Sequence, residues 1–321
     1  MLPKKHSVPL GNYSLRLRDD IKFFGVSETL RNWCIERFGR ISEAARCLGM
    51  SESFLRSMVG GRKPTPVWLI RRISEIEPAM SDRLFRDADS FTSRCKRDLF
   101  PREMTPDLAY YLGFLQGDGH VDRNEKRISF TEASRDHLDV VNEINKSVFG
   151  FHGSIYEKPN KRTGGRAYVL DVRRATVNSF VSDVIGINRG KKTRGFIPVC
   201  ILKERGLLRW YLCGLFDAES SMPKNPRRKS DCYIDIAMAD KDMIGKVKSV
   251  LAEDFGIMTY GPYKRFARSS ISKAVTEESE LRIRKYSEIA RFMERIGTLH
   301  PDKIKRKETM IRLIGSVAQL G

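Results

Sequence analysis

One apolar segment occurs twice in this chain, and it constrains the fold more than any other feature. Residues 108–119 read LAYYLGFLQGDG and residues 210–220 read WYLCGLFDAES. Aligned, Gly113 falls on Gly214, Gly117 on Ala218 and Asp118 on Glu219. Positions i and i+4 share a helix face. Gly113 with Gly117, and Gly214 with Ala218, each therefore make a helix stripe without side-chain bulk. Two such helices are expected to pack backbone to backbone along those stripes. Each segment ends in one acid, so Asp118 and Glu219 would emerge together at one end of the pair. Two crowded carboxylates are costly unless a cation holds them, which points to a divalent metal between them.

The repeat continues beyond these segments. After Asp118, residues 120–134 read as a hairpin with alternation at Ile128 and Phe130. After Glu219, a longer hairpin ends in CYIDIAMAD, with alternation at Ile234 and Ile236. Arg135-Asp136 and Lys241-Asp242 each open a helix that closes at a Phe-Gly pair, Phe149-Gly150 and Phe255-Gly256. A second hairpin follows in each half, with last strands at 168–174 and 279–285. A helix then ends in Ile-Gly, at Ile185-Gly186 and Ile296-Gly297, and Lys192 and Lys303 follow. The order per half is α-β-β-α-β-β-α. The offset between halves grows from the 101 residues separating Gly113 and Gly214 to the 111 separating Gly186 and Gly297. Every change falls in a hairpin, where insertions are tolerated. The fold class expected is α+β, with one half over 105–206 and the other over 207–321.

Ahead of the repeat, helical spacing at Leu30, Trp33, Cys34 and Phe38 stops at Gly39. A second short helix over 41–48, capped at Ser42, ends at Gly49, and Ser51 caps a third that stops at Gly60-Gly61. Residues 29–75 resemble a helix-turn-helix of the phage-repressor type, with Ala45 and Gly49 as the packing and turn pair. Its recognition helix would present Ser51, Ser53 and Arg56. Residues 1–28, weakly periodic, are expected to form an arm, either loose or an early helix. Residues 76–104, with Pro78, Pro101 and many charges, are expected to be a linker with a helix over 81–97. Thr105 and Pro106 read as the cap and first position of the first repeated helix.

Charge narrows the partner. The chain carries 59 Lys and Arg against 40 Asp and Glu, a net +19, which favours a polyanion and nucleic acid first. The six cysteines, Cys34, Cys47, Cys95, Cys200, Cys213 and Cys232, show neither CxxC nor zinc-finger spacing and read as reduced thiols of an intracellular protein, in the cytoplasm, the nucleoid or an organelle. No apolar run reaches membrane length and no secretory leader is read at the start.

With both copies and their matched hairpins in view, YLGFLQGDG and LCGLFDAES resemble the motif of LAGLIDADG homing endonucleases, over residues 105 to about 315. The resemblance implies a duplicated αββαββα fold with pseudo-two-fold symmetry, saddle-shaped antiparallel sheets, and motif helices at the interface between halves (Gly113, Gly117, Gly214, Ala218). It implies a monomer that cuts both strands of duplex DNA at a long non-palindromic site. Asp118 and Glu219 would bind the catalytic cation, Mg²⁺ with Mn²⁺ as a substitute. Lys192 and Lys303 would lie near the active site as catalytic residues that stabilise developing charge or orient the water network, with Lys191 an adjacent contender in the first half. Two positions depart from the motif: Gln116 stands for its usual first acid, and Ser220 for its terminal glycine, with an altered local turn expected.

Strand alternation then assigns a DNA-facing surface. Leu170 and Val172 point one way and Asp171 and Arg173 the other. Leu281 and Ile283 face the core while Arg282 and Arg284 face out, and Arg127 and Ser129 align with Tyr233 and Asp235. Lys158, Lys161, Arg162, Arg227, Arg228, Lys229, Lys264, Arg265 and Arg268 fall in hairpin loops and suit phosphate contacts. His120 and His300 flank the two acids and read as surface or structural residues. Two alternatives stand beside the nuclease. One is a non-cleaving DNA-binding transcriptional regulator; sporulation regulators join a similar domain to a helix-turn-helix in the opposite order. The other is an intron RNA maturase, with intron RNA as partner. An intein is not expected, because no Cys or Ser begins the chain and no His-Asn ends it; descent from an intein's endonuclease part remains open.

Overall fold

The computed structural model describes residues 7–93, 96–124, 126–159, 165–190, 195–268 and 275–315. The N-terminal part begins with β1 (Val8–Pro9), a 3₁₀ turn (Gly11–Arg16) and β2 (Lys22–Phe24). Helices α1 (Ser27–Phe38), α2 (Ile41–Cys47) and α3 (Glu52–Val59) follow, then β3 (Thr65–Pro66), α4 (Val67–Ile76), α5 (Pro78–Asp87), β4 (Ser90–Thr92), β5 (Asp98–Leu99) and β6 (Glu103–Met104). The three short helices end where glycines allow: Gly39 and Gly49 adopt φ 72° and 62°, a region open to residues without a Cβ. Ser51 caps α3 by accepting from the Phe54 amide at 3.4 Å. The cap of α2 is Arg40 rather than Ser42, which lies inside the helix.

The expected arm and linker are instead parts of one folded unit. Strand β2 from the arm and β4 and β5 from the linker join β3 in a sheet of order β3-β2-β4-β5. Phe23 of β2 packs edge-on against Phe85 of α5 at 5.3 Å and Phe100 at 4.8 Å. Leu10, Leu17, Ile21, Met80, Leu84 and Phe91 are buried in the same core. Pro78 starts α5 as its first helical residue, so the segment is a helix followed by three short strands, β4, β5 and β6. The unit is joined to the first half of the repeat: Phe91 and Phe100 both meet Phe180, at 6.5 and 6.3 Å.

The first half comprises α6 (Pro106–Asp118), β7 (Gly119–Val121), β8 (Ile128–Glu132), α7 (Arg135–Phe149), β9 (Ser154–Pro159), β10 (Arg166–Val172) and α8 (Ala175–Ser179), which continues as a π-turn over Phe180–Val184. A short α9 (Val199–Leu202) leads into the second half. That half comprises α10 (Arg205–Glu219), β11 (Ser220–Ser221), β12 (Ile234–Met238), α11 (Lys241–Glu253), β13 (Tyr260–Arg268), β14 (Val275–Ile283) and α12 (Tyr286–Arg295), and α13 (Pro301–Ile314) follows. The sheets have orders β7-β8-β10-β9 and β11-β12-β14-β13, the same topology twice. Thr105 caps α6 by accepting from Leu108 N, with Pro106 next, as the sequence implies. Glycines close the equivalent helices of both halves with positive φ, at Gly150, Gly186, Gly256 and Gly297. Among the described residues no helix is long and apolar enough to cross a membrane.

Candidate active site at the crossed helices

Helices α6 and α10 touch along their glycine stripes. A Cβ added to Gly113 would stand 2.0 Å from the Tyr211 carbonyl oxygen, and one on Gly214 would stand 2.2 Å from that of Tyr110. The contact is reciprocal, as a pseudo-two-fold axis between the helices requires. One turn on, a Cβ on Gly117 would lie 2.3 Å from the Ala218 Cβ, 3.0 Å from the Glu219 Cγ and 3.4 Å from its Oε1. The side chain of Glu219 thus crosses the bare backbone that precedes Asp118. Asp118 and Glu219 are the last residues of their helices, and both are half-buried.

Lys303 sits at the same end in a different role from the one expected. Its Nζ donates to the carbonyls of Phe216, Asp217 and Ser220 at 2.8, 2.9 and 2.8 Å, and lies 3.1 Å from the Ser220 Oγ. An ammonium has three protons, and these acceptors at the end of α10 take them. The side chain is buried, and burial lowers its pKa against the pull of Asp217, Glu132 and Asp118. Lys303 is therefore a clamp on the helix that carries Glu219. Ser220 takes part in that clamp. Its backbone, φ −87° and ψ 149°, matches Gly119 at −81° and 157°, so the serine leaves the turn unaltered.

Asp217, one turn inside α10, is buried at 1% exposure. Its carboxylate accepts from the Tyr110 hydroxyl at 2.8 Å, the Leu299 and His300 amides at 2.8 and 3.2 Å, and the Thr298 hydroxyl. It ties the first half's helix to the 298–300 loop that leads into α13, the helix that carries Lys303. Tyr110 also meets His137 Nε2 at 2.9 Å. The His137 ring lies 4.2 Å from that of His300, and Glu132 stands 3.8 Å from His137 Nδ1. Burial, and then the neighbouring His137, press the His300 pKa down to about 4. His300 Nδ1 accepts from the Asp302 amide at 3.2 Å and caps α13, which makes it structural. His120 is exposed on β7.

Residues 105–184 and 206–297, more than half of the chain, match the family described as LAGLIDADG-like domain. The chain belongs to that family. It is 25% identical over 325 residues to a glutamine–fructose-6-phosphate aminotransferase [isomerizing] of Methanocaldococcus jannaschii, covering 94% of this chain and 27% of that protein. It is 27% identical over 207 residues to the replication factor C small subunit of Thermococcus kodakarensis, covering 64% of this chain and 21% of that protein. The chain thus spans about a quarter of the length of these curated relatives. Among solved structures it is similar to I-DmoI in complex with DNA and Mn, at TM-score 0.39 and 16% identity over 60% of this chain and 96% of that one.

The LAGLIDADG sheets carry arginines that are already oriented. Asp171, with 1% of its side chain exposed, accepts from Arg173 Nε at 2.8 Å and lies 3.9 Å from Arg127. In the second sheet, buried Glu280 accepts from Arg282 Nη2 at 2.8 Å. The Arg282 guanidinium lies 5.3 Å from the Tyr263 ring, and that of Arg284 lies 6.0 Å from the Tyr233 ring. Burial, and next the charge of Glu280, raise the Asp235 carboxyl. Ser129 pairs with Asp171 and Asp235 with Arg282 across the strands, so the assigned positions do share one face. Exposed aromatics of β13 are not among the residues assigned from sequence: Tyr260 and Tyr263 share that face, paired with Arg282 and Glu280, and Phe266 lies on the other, paired with Glu277. Tyr260, Tyr263 and Phe266 of β13 are exposed, Phe266 at 67%. Their signal was a strand with apolar residues on both faces, which no ordinary half-buried strand shows.

Other assigned residues lie further out. Lys158 reaches Thr131 Oγ1 at 3.3 Å, and Lys264 and Arg265 face Glu277 and Glu278 across the β13–β14 ladder. Arg227, Arg228 and Lys229 are exposed around Asp231, which Arg228 meets at 3.1 Å. On α3, Ser51, Ser53 and Arg56 are exposed, and Arg56 pairs with Glu52 at 2.5 Å. Lys161, Arg162, Lys191 and Lys192 fall outside the described residues, as does the side chain of Arg268.

Proposed function

We propose that this protein is a metal-dependent, site-specific endonuclease of duplex DNA. The observation that carries the reading is the pair of half-buried acids, Asp118 and Glu219, brought to one end of two helices that touch backbone to backbone. Their oxygens are hard donors, partly open to solvent, and the helix end that carries Glu219 is clamped by Lys303. Such a donor set suits Mg²⁺ or Mn²⁺, which keep waters and accept phosphate oxygens as further ligands. Bound there, a divalent ion would polarise the scissile phosphate, acidify the attacking water and offset charge on the departing 3′ oxygen.

The chain's own residues do the rest. Gly113 and Gly214 fix how close the acids come. Lys303 and Ser220 hold the Glu219 end, which limits the reorganisation of that helix end when DNA arrives. Arg173, Arg282 and Arg284, propped by acids and rings, present fixed donor forks suited to guanine edges in the major groove. The names of the two curated relatives describe unrelated activities, and this chain matches about a quarter of each, so neither named activity is carried over.

The test is cleavage of a plasmid library bearing randomised inserts, with Mg²⁺, by the full chain and by Asp118→Asn and Glu219→Gln. Both variants are expected to bind the selected site and to leave it without double-strand breaks. Undiminished cutting by either variant would remove that acid from the site. Binding without cutting by the unaltered chain in any divalent metal would establish a regulator.

A further inference from the structure

The two sheets share a basic corner. Ser154 pairs with Asp171 two residues before Arg173, and Tyr260 pairs with Arg282 two residues before Arg284. In the second half this corner is a shallow cleft of about 310 Å³ lined by Tyr260, Tyr263, Arg282, Arg284 and Lys285. In the first half the same corner is a cleft of about 710 Å³, because the N-terminal unit forms its opposite wall. Arg18 and Lys96 come from that unit, Lys126 from the β7–β8 hairpin, and Arg173 and Arg174 from the end of β10.

The two walls are fixed to each other through the floor. Asp98, 3% exposed, accepts from Arg174 Nε at 3.0 Å and from the Thr176 hydroxyl. Leu99, beside it, packs under Gly150, where an added Cβ would stand 2.7 Å from the Leu99 Cγ. The lining holds five cations against Asp20 and Asp98. Arg18 is matched to Asp20 at 2.6 Å, Arg174 to Asp98, and Arg173 to Asp171. Lys96 and Lys126 are exposed, and the charge of Lys96 acts on Asp98 in the floor. Ser93, Asn124 and Ser154 complete the lining. Lysine, arginine, serine and asparagine converging on a rigid open trough are the side chains that hold phosphodiester oxygens.

We infer that this cleft is a DNA-backbone site that leads the duplex off the first half's sheet onto the N-terminal unit, so that the bound target is longer on the first half's side. This rests on the DNA-binding part of the function proposed above and is independent of cleavage.

The experiment is a hydroxyl-radical footprint of the full chain on its selected target, with a salt titration of affinity. The unaltered protein should protect unequal arms on the two sides of the motif-helix contact. The double variant Lys96→Ala/Lys126→Ala should shorten only the longer arm and reduce the log–log salt slope by about 2, near one unit for each phosphate no longer neutralised. Lys285→Ala should affect only the shorter arm. Both lysines of the double variant are exposed, so the fold is expected to persist, and an unchanged circular-dichroism melt checks it. Equal arms, or a double variant with unaltered footprint and slope, would overturn the inference even if the protein cuts normally. Protected but uncut DNA would refute the nuclease and leave the cleft standing. Failure to bind any duplex would overturn both.

Discussion

Replacing Gly113 by alanine tests the glycine contact directly, because the chain contains its own control. At Gly113 the new methyl would stand 2.0 Å from the Tyr211 carbonyl oxygen and 3.0 Å from the Leu215 amide nitrogen. Both are backbone atoms of a packed helix and have no rotamer by which to yield. Ordinary contact is near 3.5 Å, so the helices must part by more than about 1 Å, and contacts along the seam forfeit a quarter to a half of their attraction. Overpacking of this kind costs about 3 kcal/mol or more, against a gain of about 1 kcal/mol from alanine's helix propensity. The net loss is about 2 kcal/mol or larger. Gly245 sits within α11 and would meet nothing within 4 Å. There the same substitution should stabilise by about 0.5–1 kcal/mol. Equilibrium unfolding in urea reads the difference as midpoints moving in opposite directions at unchanged slope. The pair Gly113→Ala/Gly214→Ala should cost less than the sum of its members, since one separation relieves both clashes. Gly113→Ala should also depress cleavage beyond its effect on folding, because the acids ride on the displaced helices. A Gly113→Ala midpoint equal to that of Gly245→Ala, with full activity, would refute the reasoning.

Acid should destabilise the protein through His300. Its folded pKa of about 4 lies below the ordinary 6.5, so between those values the unfolded chain binds a proton that the folded chain refuses. Stability is therefore lost as pH falls from about 6.5 to 4, by up to about 3 kcal/mol. His300→Asn retains an acceptor for the Asp302 amide and should flatten that slope; an unchanged slope in urea midpoints against pH would assign the effect to other groups. Lys303→Met strips the donor from three buried carbonyls at the end of α10 and should cost about 3 kcal/mol. A thermal midpoint equal to that of the unaltered chain would show that the clamp contributes nothing.

How much of this was legible in the sequence depends on the range of each interaction. The duplicated halves were readable because their signals are local: paired small residues in α6 and α10, alternation in β8 and β12, and glycines at the Phe-Gly and Ile-Gly stops. The N-terminal unit was not, because its strands have two or three residues each, too few for a period of two to appear. Phe23, Phe91 and Phe100 look unremarkable singly and form a core only when residues 22–24 and 90–100 lie side by side. Lys303 was placed near the acids by resemblance, but its task depends on carbonyls 83 to 87 residues earlier in the chain, and no spacing rule reaches that far. The propped arginines had a usable signal, an acid two residues before an arginine in both Asp171-x-Arg173 and Glu280-x-Arg282, where alternation puts both side chains on one face.

The departures from symmetry carry the remaining information. The repeat copies helices and strands, yet the polar wiring beneath the motif helices differs between halves. Asp217 gathers Tyr110 and the 298–300 loop, whereas Gln116, its aligned counterpart on α6, lies with its Nε2 3.0 Å from where a Cβ on Gly195 would be. Tyr211, the counterpart of Tyr110, donates to the Phe196 carbonyl at 3.0 Å instead of to a carboxylate. Each half is thus built to meet the other and not itself. Two copies of the first half would set a glutamine opposite the Tyr110 hydroxyl, which now donates to the Asp217 carboxylate. Two copies of the second would bury two carboxylates at one seam, a cost that burial and mutual repulsion both raise. The asymmetry at the seam therefore makes the two halves chemically distinct beneath the acids, and under the proposed function it would distinguish the two arms of a duplex target.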